Sequence, residues 1–337
     1  MSRGLVPASS FCDDSVKGYD PAGRTGGSII QRLGGMIALA AAATIWGGMY
    51  VVSKELLTAV SPVLLMWLRY GIASVVMLGG LIARRQLQFD RDTLKWALRV
   101  GVMGYVLSIG AQFWGTALST ATLGSVITAA TPAFMVLFAR LLYHEGMTAA
   151  KITAVGLATL GVLLVVPWQG AARITWGSGI LVAAALTWAL MSVWVGYMPP
   201  TISTTRVTAY AIGIAWVLIT PAAWVSLPTV SAGVWQSQAF WLGVLYVGVL
   251  STALAFWLWS YGLRQVDPAT GGVFFFFQPL SGTILAALFL HEAVDPSLVI
   301  GGVLIVAGVI VSQWAQKTPS PRPVGNRGDG EDSSVNP

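Results

Sequence analysis

From Leu33 to Gln316 the chain alternates long apolar stretches with short polar links. Ten stretches are legible, at roughly 34–56, 62–83, 94–117, 121–143, 148–167, 177–197, 204–226, 238–262, 269–290 and 296–315. Each is close to the about 20 residues an α-helix needs to cross the hydrocarbon core of a bilayer. A backbone left bare in lipid is costly, so each stretch is predicted to be a helix. The expected fold class is an all-α integral membrane protein with ten transmembrane helices. Residues 1–32 and 317–337 are rich in Gly, Ser, Pro and charge and read as disordered tails.

One stretch is written twice. Trp114–Glu145, laid over Tyr261–Glu292 without a gap, shares Gly115/Gly262, Gly124/Gly271, Val126/Val273, Pro132/Pro279, Ala139/Ala286, Leu141/Leu288, His144/His291 and Glu145/Glu292, eight identities in 32 positions. The first spans of the two halves match more weakly, Trp46 and Met49 aligning with Trp188 and Met191. An internal repeat in a polytopic helical chain points to a transporter. The expected units are 33–167 and 168–316. Each holds five spans, an odd number, so like sequence must enter the membrane in opposite directions. The halves are expected to be two inverted five-helix repeats.

Composition fixes the class. The chain is 55% hydrophobic and 9% charged, whereas soluble domains carry about 25% charged residues. The net charge of +6 is then a matter of which membrane face holds the cations, and not a sign of nucleic-acid binding. Of 19 Lys and Arg, all but Lys54, Arg69 and Arg173 fall on the tails and on the links that share their side. The positive-inside rule places both tails in the cytoplasm. The single cysteine, Cys12, allows no disulfide framework. No signal peptide is evident at the start of the chain.

Four features carry a family resemblance. Span one reads Trp46-Gly47-Gly48-Met49-Tyr50-Val51-Val52-Ser53-Lys54. Span two begins Ser61-Pro62 and carries Arg69 and Ala73. Spans four and nine have a mid-helix proline and end in Glu, and spans five and ten carry Gly156/Gly161 and Gly302/Gly308. Together these resemble the drug/metabolite transporter superfamily, in its EamA-type branch of ten-helix bacterial permeases. The resemblance covers about 34–316. It implies a permease of the bacterial cytoplasmic membrane, often an exporter of amino acids and other small metabolites.

Arg69 is the main chemical candidate. At 1.5 Å per residue it should sit about 10 Å inside span two, counted from Pro62. A guanidinium at such depth costs at least ~2.5 kcal/mol without partners. It either anchors a substrate carboxylate through paired hydrogen bonds, or snorkels out and ties down helix ends near Lys54 and Glu55. Lys54-Glu55 is either a solvated helix-end pair or an outer gate closing on another charge. Trp46 and Tyr50 share one face of span one. With Trp188 and Ser192 of span six they could form an aromatic wall or simply pack. Thr122, Ser125, Thr128 and Thr131 form a hydroxyl stripe on span four, open to substrate or to self-bonding. Pro132 and Pro279 free backbone groups near mid-depth, beside Gln278, where transporters place substrate contacts. Gln112 is the other deep amide. At most two of Phe274–Phe277 can face a cavity, and Phe275 stands at the position of Thr128 in the other copy. The His-Glu pairs sit at span ends, where capping is the ordinary role.

No Asp or Glu lies in the interior of any predicted span, Glu55 standing at the end of the first, so nothing points to proton coupling, and facilitated diffusion or exchange fits as well. No nucleotide-binding loop occurs. The expected function is a secondary transporter for amino acids or similar small metabolites, working by alternating access as exporter or facilitator. A carrier of phosphorylated or nucleotide-linked sugars is the alternative, though doubly charged substrates favour more than one deep cation. An integral membrane enzyme is a further alternative, but it would need clustered His, Asp or Ser at one depth. No enzymatic activity and no cofactor are expected. The partners are a small-molecule substrate and the lipid bilayer, with no nucleic acid, and self-association is left open. The charge count yields a direct test. Cysteines placed beside Glu145 and beside Glu292 should react with impermeant thiol reagents from opposite sides of the membrane; labelling from one side would refute the inverted arrangement.

Overall fold

The computed structural model describes residues 29–143, 148–165, 172–199, 201–265 and 274–317. Every regular element among them is helical. In chain order α1 is Ile29–Ala59 and α2 Pro62–Ala83. α3 runs as Arg91–Val100, a π-helical stretch Gly101–Ser108 and Ile109–Leu118. α4 is split into Ala121–Thr128 and Thr131–Tyr143. Then come α5 (Ala149–Val165), α6 (Ala172–Gly196) and α7 (Thr204–Ser226). α8 runs as Gln238–Leu245, a second π-helical stretch Tyr246–Leu254 and Ala255–Gln265. α9 is Phe277–Phe289, entered through a 3₁₀ turn Phe274–Phe276, and α10 is Pro296–Lys317.

The apolar runs explain these helices, and the links explain their ends. Ser61 caps α2 by accepting from Leu64 N at 3.3 Å, with Pro62 at the first helical position. Asp90 caps α3 by accepting from Thr93 N at 2.7 Å, and Thr93's hydroxyl and amide hold the Asp90 carboxyl below its usual range. Six helical segments are long and apolar enough to cross a membrane: Ile29–Ala59, Pro62–Ala83, Ala121–Tyr143, Ala172–Gly196, Thr204–Thr229 and Gln238–Gly262. The apolar stretches of α5, α9 and α10 are shorter. Helix α1 begins at Ile29, so the predicted 1–32 tail ends earlier than expected. Lys317, placed in the other tail, closes α10. The remaining tail residues, Cys12 and the His144-Glu145 pair lie outside the described residues.

Packing exchanges partners between the halves. Helix α1 packs on α8 and α9, and α6 packs correspondingly on α3 and α4. Helix α2 lies against α7, and α5 lies against α10. Where these pairs cross, glycine removes the side chain that would hold the backbones apart. A Cβ on Gly115 of α3 would lie 2.9 Å from the Gly177 carbonyl oxygen of α6. One on Gly262 of α8 would lie 2.8 Å from the Gly35 carbonyl oxygen of α1. The shared Gly115/Gly262 of the repeat thus marks two equivalent close crossings. Gly161 of α5 meets Gly301 of α10 in the same way, at 2.6 Å from its carbonyl oxygen.

Both irregular features are duplicated too. The two π-helical stretches fall at matching places in α3 and α8. The interruption of α4 at Ala129–Ala130 matches the 3₁₀ entry to α9, each just before the shared proline. Gly115→Ala and Gly262→Ala should each lower stability by about 1–3 kcal/mol through overpacking. Gly79→Ala and Gly80→Ala, whose added Cβ would meet nothing within 4 Å, should leave it unchanged or slightly raised. Thermal unfolding of the detergent-solubilised protein distinguishes the two outcomes.

Candidate functional site

The irregular stretches converge on one cavity of about 30 Å³, room for about two waters. Trp46, Met49 and Tyr50 of α1, Arg69 of α2 and Ser108, Ile109 and Gln112 of α3 line it. So do Thr128 and Thr131 of α4, Ala184, Ala185 and Trp188 of α6, Phe256 of α8, Phe275 and Gln278. Nine of the ten predicted contact residues meet here: Trp46, Tyr50, Arg69, Gln112, Thr128, Thr131, Trp188, Phe275 and Gln278. Ser192 does not. It lines a second cavity, with Val100, Tyr105, Met198, Thr204 and Ser260, which shares Trp46, Trp188 and Phe256 with the first. One turn of α6 separates Ser192 from Trp188, and that turn carries it past the aromatic partition.

Arg69 is fully buried. The expected alternative, snorkelling toward Lys54 and Glu55, is not what the chain does. Its Nε donates to Thr252 Oγ1 at 2.8 Å, and Thr252 in turn donates to the Val247 carbonyl at 2.7 Å across the π turn. Its Nη1 reaches only Met49 Sδ, at 3.5 Å, and Nη2 has no partner among the described residues. The guanidinium lies 5.0 Å from the Phe113 ring centroid, 5.5 Å from Tyr70 and 5.9 Å from Phe256. Gln112 Nε2 also reaches Met49 Sδ, at 3.7 Å. Two good donors thus share a thioether sulfur, a weak acceptor.

The π turns supply acceptors that an α-helix would consume. Trp46 Nε1 donates to the Ser251 carbonyl at 3.0 Å, and the Tyr70 hydroxyl to the Tyr105 carbonyl at 2.7 Å. Both carbonyls belong to π-helical stretches, which widen the turn and loosen the backbone ladder. The hydroxyl stripe bonds back to its own helix and in part lines the cavity. Ser125, Thr128 and Thr131 bond back to their own helix, while Thr128 and Thr131 also face the cavity. Thr131 Oγ1 donates to the Thr128 carbonyl at 2.6 Å, standing in for the amide that Pro132 lacks. Tyr50 OH lies 2.6 Å from Thr128 Oγ1, and Gln278 Nε2 donates to the same oxygen at 2.6 Å.

Aromatic rings separate the two cavities. Trp46 is packed edge-on against Trp188 at 5.8 Å and Phe256 at 5.9 Å, and is tilted against Trp259 at 5.2 Å. Tyr105 stacks on Phe256 at 4.8 Å. Phe256, Met49 and Tyr105 were missed by sequence reasoning. Met49 had appeared only as a repeat match and within the span-one string, and nothing in the α8 sequence distinguishes Phe256 from its apolar neighbours.

At one end of the bundle the chain is clamped. Lys54 Nζ donates to the carbonyls of Thr116 at 2.9 Å, Ala117 at 3.3 Å and Ser119, and Arg173 Nη2 donates to Ala117 at 3.2 Å. Cations on the C-terminus of α3 suit its helix dipole. Glu292 accepts from the amides of Ala121 at 2.8 Å and Thr122 at 2.9 Å and from the Thr122 hydroxyl at 2.5 Å, closing the N-terminus of α4. The turn Leu118–Ala121 is held from both halves at once. Glu55, the other predicted gating residue, is exposed and takes part in no ion pair among the described residues. His291 sits at φ 52°, a left-handed residue that ends α9 and turns Glu292 back onto α4. Since α4 starts where α9 ends, the two copies of the repeat run antiparallel.

Comparison with known proteins agrees with this architecture. The EamA-like transporter family matches residues 33–166 and 175–314. The uncharacterized transporter YetK of Bacillus subtilis (strain 168) is 25% identical over 308 residues, covering 89% of this chain and 93% of that protein. A probable terminal-alkyne amino-acid exporter of Streptantibioticus cattleyicolor is 25% identical over 241 residues, 71% of this chain and 79% of its own. A solved crystal structure shares the fold with TM-score 0.59 and 22% identity, covering 83% of this chain and 96% of that one. The clamp is tested by Glu292→Ala, which removes three bonds at a helix start and should cost about 1–2 kcal/mol. Thermal unfolding should show this loss, with Glu55→Ala as the unaffected control.

Proposed function

As the chain belongs to the EamA-like transporter family, we propose that it is a secondary transporter for small metabolites that bear a carboxylate, amino acids among them. It works by alternating access in the bacterial cytoplasmic membrane, as exporter or facilitator, with ten crossings and both termini in the cytoplasm. The observation that carries the substrate reading is the state of Arg69. A buried guanidinium with one unpaired nitrogen and another on a sulfur lacks the partner it is shaped to hold. A carboxylate entering beside Met49 would take both N–H groups in a paired, charge-assisted contact, with the Gln112 amide as a third donor. The amino-acid exporter among the relatives supports the same class.

The clamp and the partition give the access cycle its physical parts. By the charge distribution, the clamped end around Lys54 and Glu292 faces outward. The second cavity extends from the aromatic partition toward the opposite, cation-rich end. The cavity beside Arg69 has room for about two waters, so substrate entry requires helices to move apart. Release outward requires Lys54 and Glu292 to let go of the Leu118–Ala121 turn. Release inward requires Trp46, Trp188 and Phe256 to part. Because the halves exchange equivalent packing partners, one pair of crossings can loosen as its counterpart tightens.

Counterflow into proteoliposomes with a panel of labelled amino and organic acids tests the transport reading. Within it, Arg69→Gln should weaken substrate by roughly 10- to 100-fold, the loss of a charged hydrogen-bond pair of about 1.5–3 kcal/mol. Arg69→Met should abolish transport yet unfold at the same or a higher temperature, because a buried charge with no counter-ion among the described residues is replaced by an apolar chain. A variant that transports normally would remove Arg69 from the site.

A further inference from the structure

The proposal that follows rests on the carboxylate reading of Arg69 and concerns the rest of the substrate. An amino acid in water carries an ammonium beside its carboxylate. The site treats the two charges unequally. Among the described residues the acids are Glu55, Asp90, Asp92, Glu292 and Asp295, and none lines either cavity. Glu292 is occupied at the start of α4, and Asp90 at the start of α3. The polar groups around the first cavity are one guanidinium, two amides and a few hydroxyls. Of these, Thr128 Oγ1 already meets Tyr50 and Gln278, and Ser108 Oγ donates to the Ala184 carbonyl at 2.8 Å. The remaining wall is Trp46, Met49, Ile109, Ala184, Ala185, Trp188, Phe256 and Phe275.

From this charge balance we infer that the site prefers a monoanionic carboxylate with a compact apolar or aromatic body over the zwitterion of the same shape, which it binds more weakly. The carboxylate pairs with Arg69, and the body lies against Trp46, Trp188 and Phe256. An α-ammonium would sit within a few bonds of the same guanidinium and be repelled by it. It would also lose its hydration, with no carboxylate among the described residues to replace it. Ring faces compensate a cation only in part, and Arg69 already lies over Phe256 at 5.9 Å. The specificity comes from what each face of the cavity offers, a cation on one side and neutral surface on the other.

Three molecules with one phenyl group separate the charges: 3-phenylpropanoate, phenylalanine and phenethylamine. At about pH 7 they are an anion, a zwitterion and a cation. Binding to the purified full chain in nanodiscs is measured by calorimetry, and transport by counterflow of each labelled compound in proteoliposomes. The expected result is that 3-phenylpropanoate binds at least tenfold more tightly than phenylalanine, phenethylamine binds most weakly, and Arg69→Gln erases the advantage of the anion. Phenylalanine binding as tightly as 3-phenylpropanoate would overturn the inference while its counterflow upheld the transporter reading. Failure of all three to bind or exchange would overturn both.

Discussion

A guanidinium buried in an apolar bundle, with no carboxylate partner among the described residues, is the constraint around which the centre of this protein is built. Taking such a charge out of water costs several kcal/mol even after relaxation. Arg69 offsets part of that through Thr252 and through three aromatic rings, and leaves the rest unmet. Thr252 can serve it because α8 opens into a π turn there. The same widening frees the Ser251 carbonyl for Trp46. The unusual backbone and the unusual charge are thus one arrangement.

The opposite pressure acts at the clamped end. There Lys54, Arg173 and Glu292 converge on a single turn. Lys54 and Arg173 meet the exposed carbonyls of α3, and Glu292 meets the exposed amides of α4. Each contact places a charge at the helix terminus whose partial charge it complements. Glu292 arrives from the second half, so the turn can stay closed only while the halves are in register. A motion that separates α9 from α4 breaks all three of its hydrogen bonds together. This gives the bundle a discrete closed arrangement at that end.

Duplication would make the proposed motion available. The Gly115–Gly177 and Gly262–Gly35 crossings are equivalent, as are the π stretches and the helix breaks before Pro132 and Pro279. Equivalent interfaces have similar energies, so interchanging their states carries little net cost. The lining does not follow the symmetry. Thr128 stands opposite Phe275 and Thr131 opposite Gln278, and Arg69 has no counterpart in α7. For the proposed transporter, the scaffold is symmetric where it would move and asymmetric where it would bind.

Most of the fold was legible because lipid leaves the backbone so few choices. Apolar runs long enough to cross hydrocarbon must be helical, and the repeat, read with five spans to each half, called for antiparallel copies. Arg69, Gln112, Gln278 and the tryptophans could be singled out because polar and aromatic groups are conspicuous in such runs. The sequence by itself therefore determined the class, the repeat and most candidates for the cavity. Only the tertiary structure decided that Arg69 stays buried, that Ser192 lies beyond the aromatic partition, that Met49 and Phe256 join the site, and that Glu292 caps a helix of the other half. These depend on π turns and on contacts between residues up to 205 positions apart, as Trp46 and Ser251 are. Hydrophobic periodicity along one helix holds no record of a backbone register shift or of which distant helix end lies within reach of a side chain.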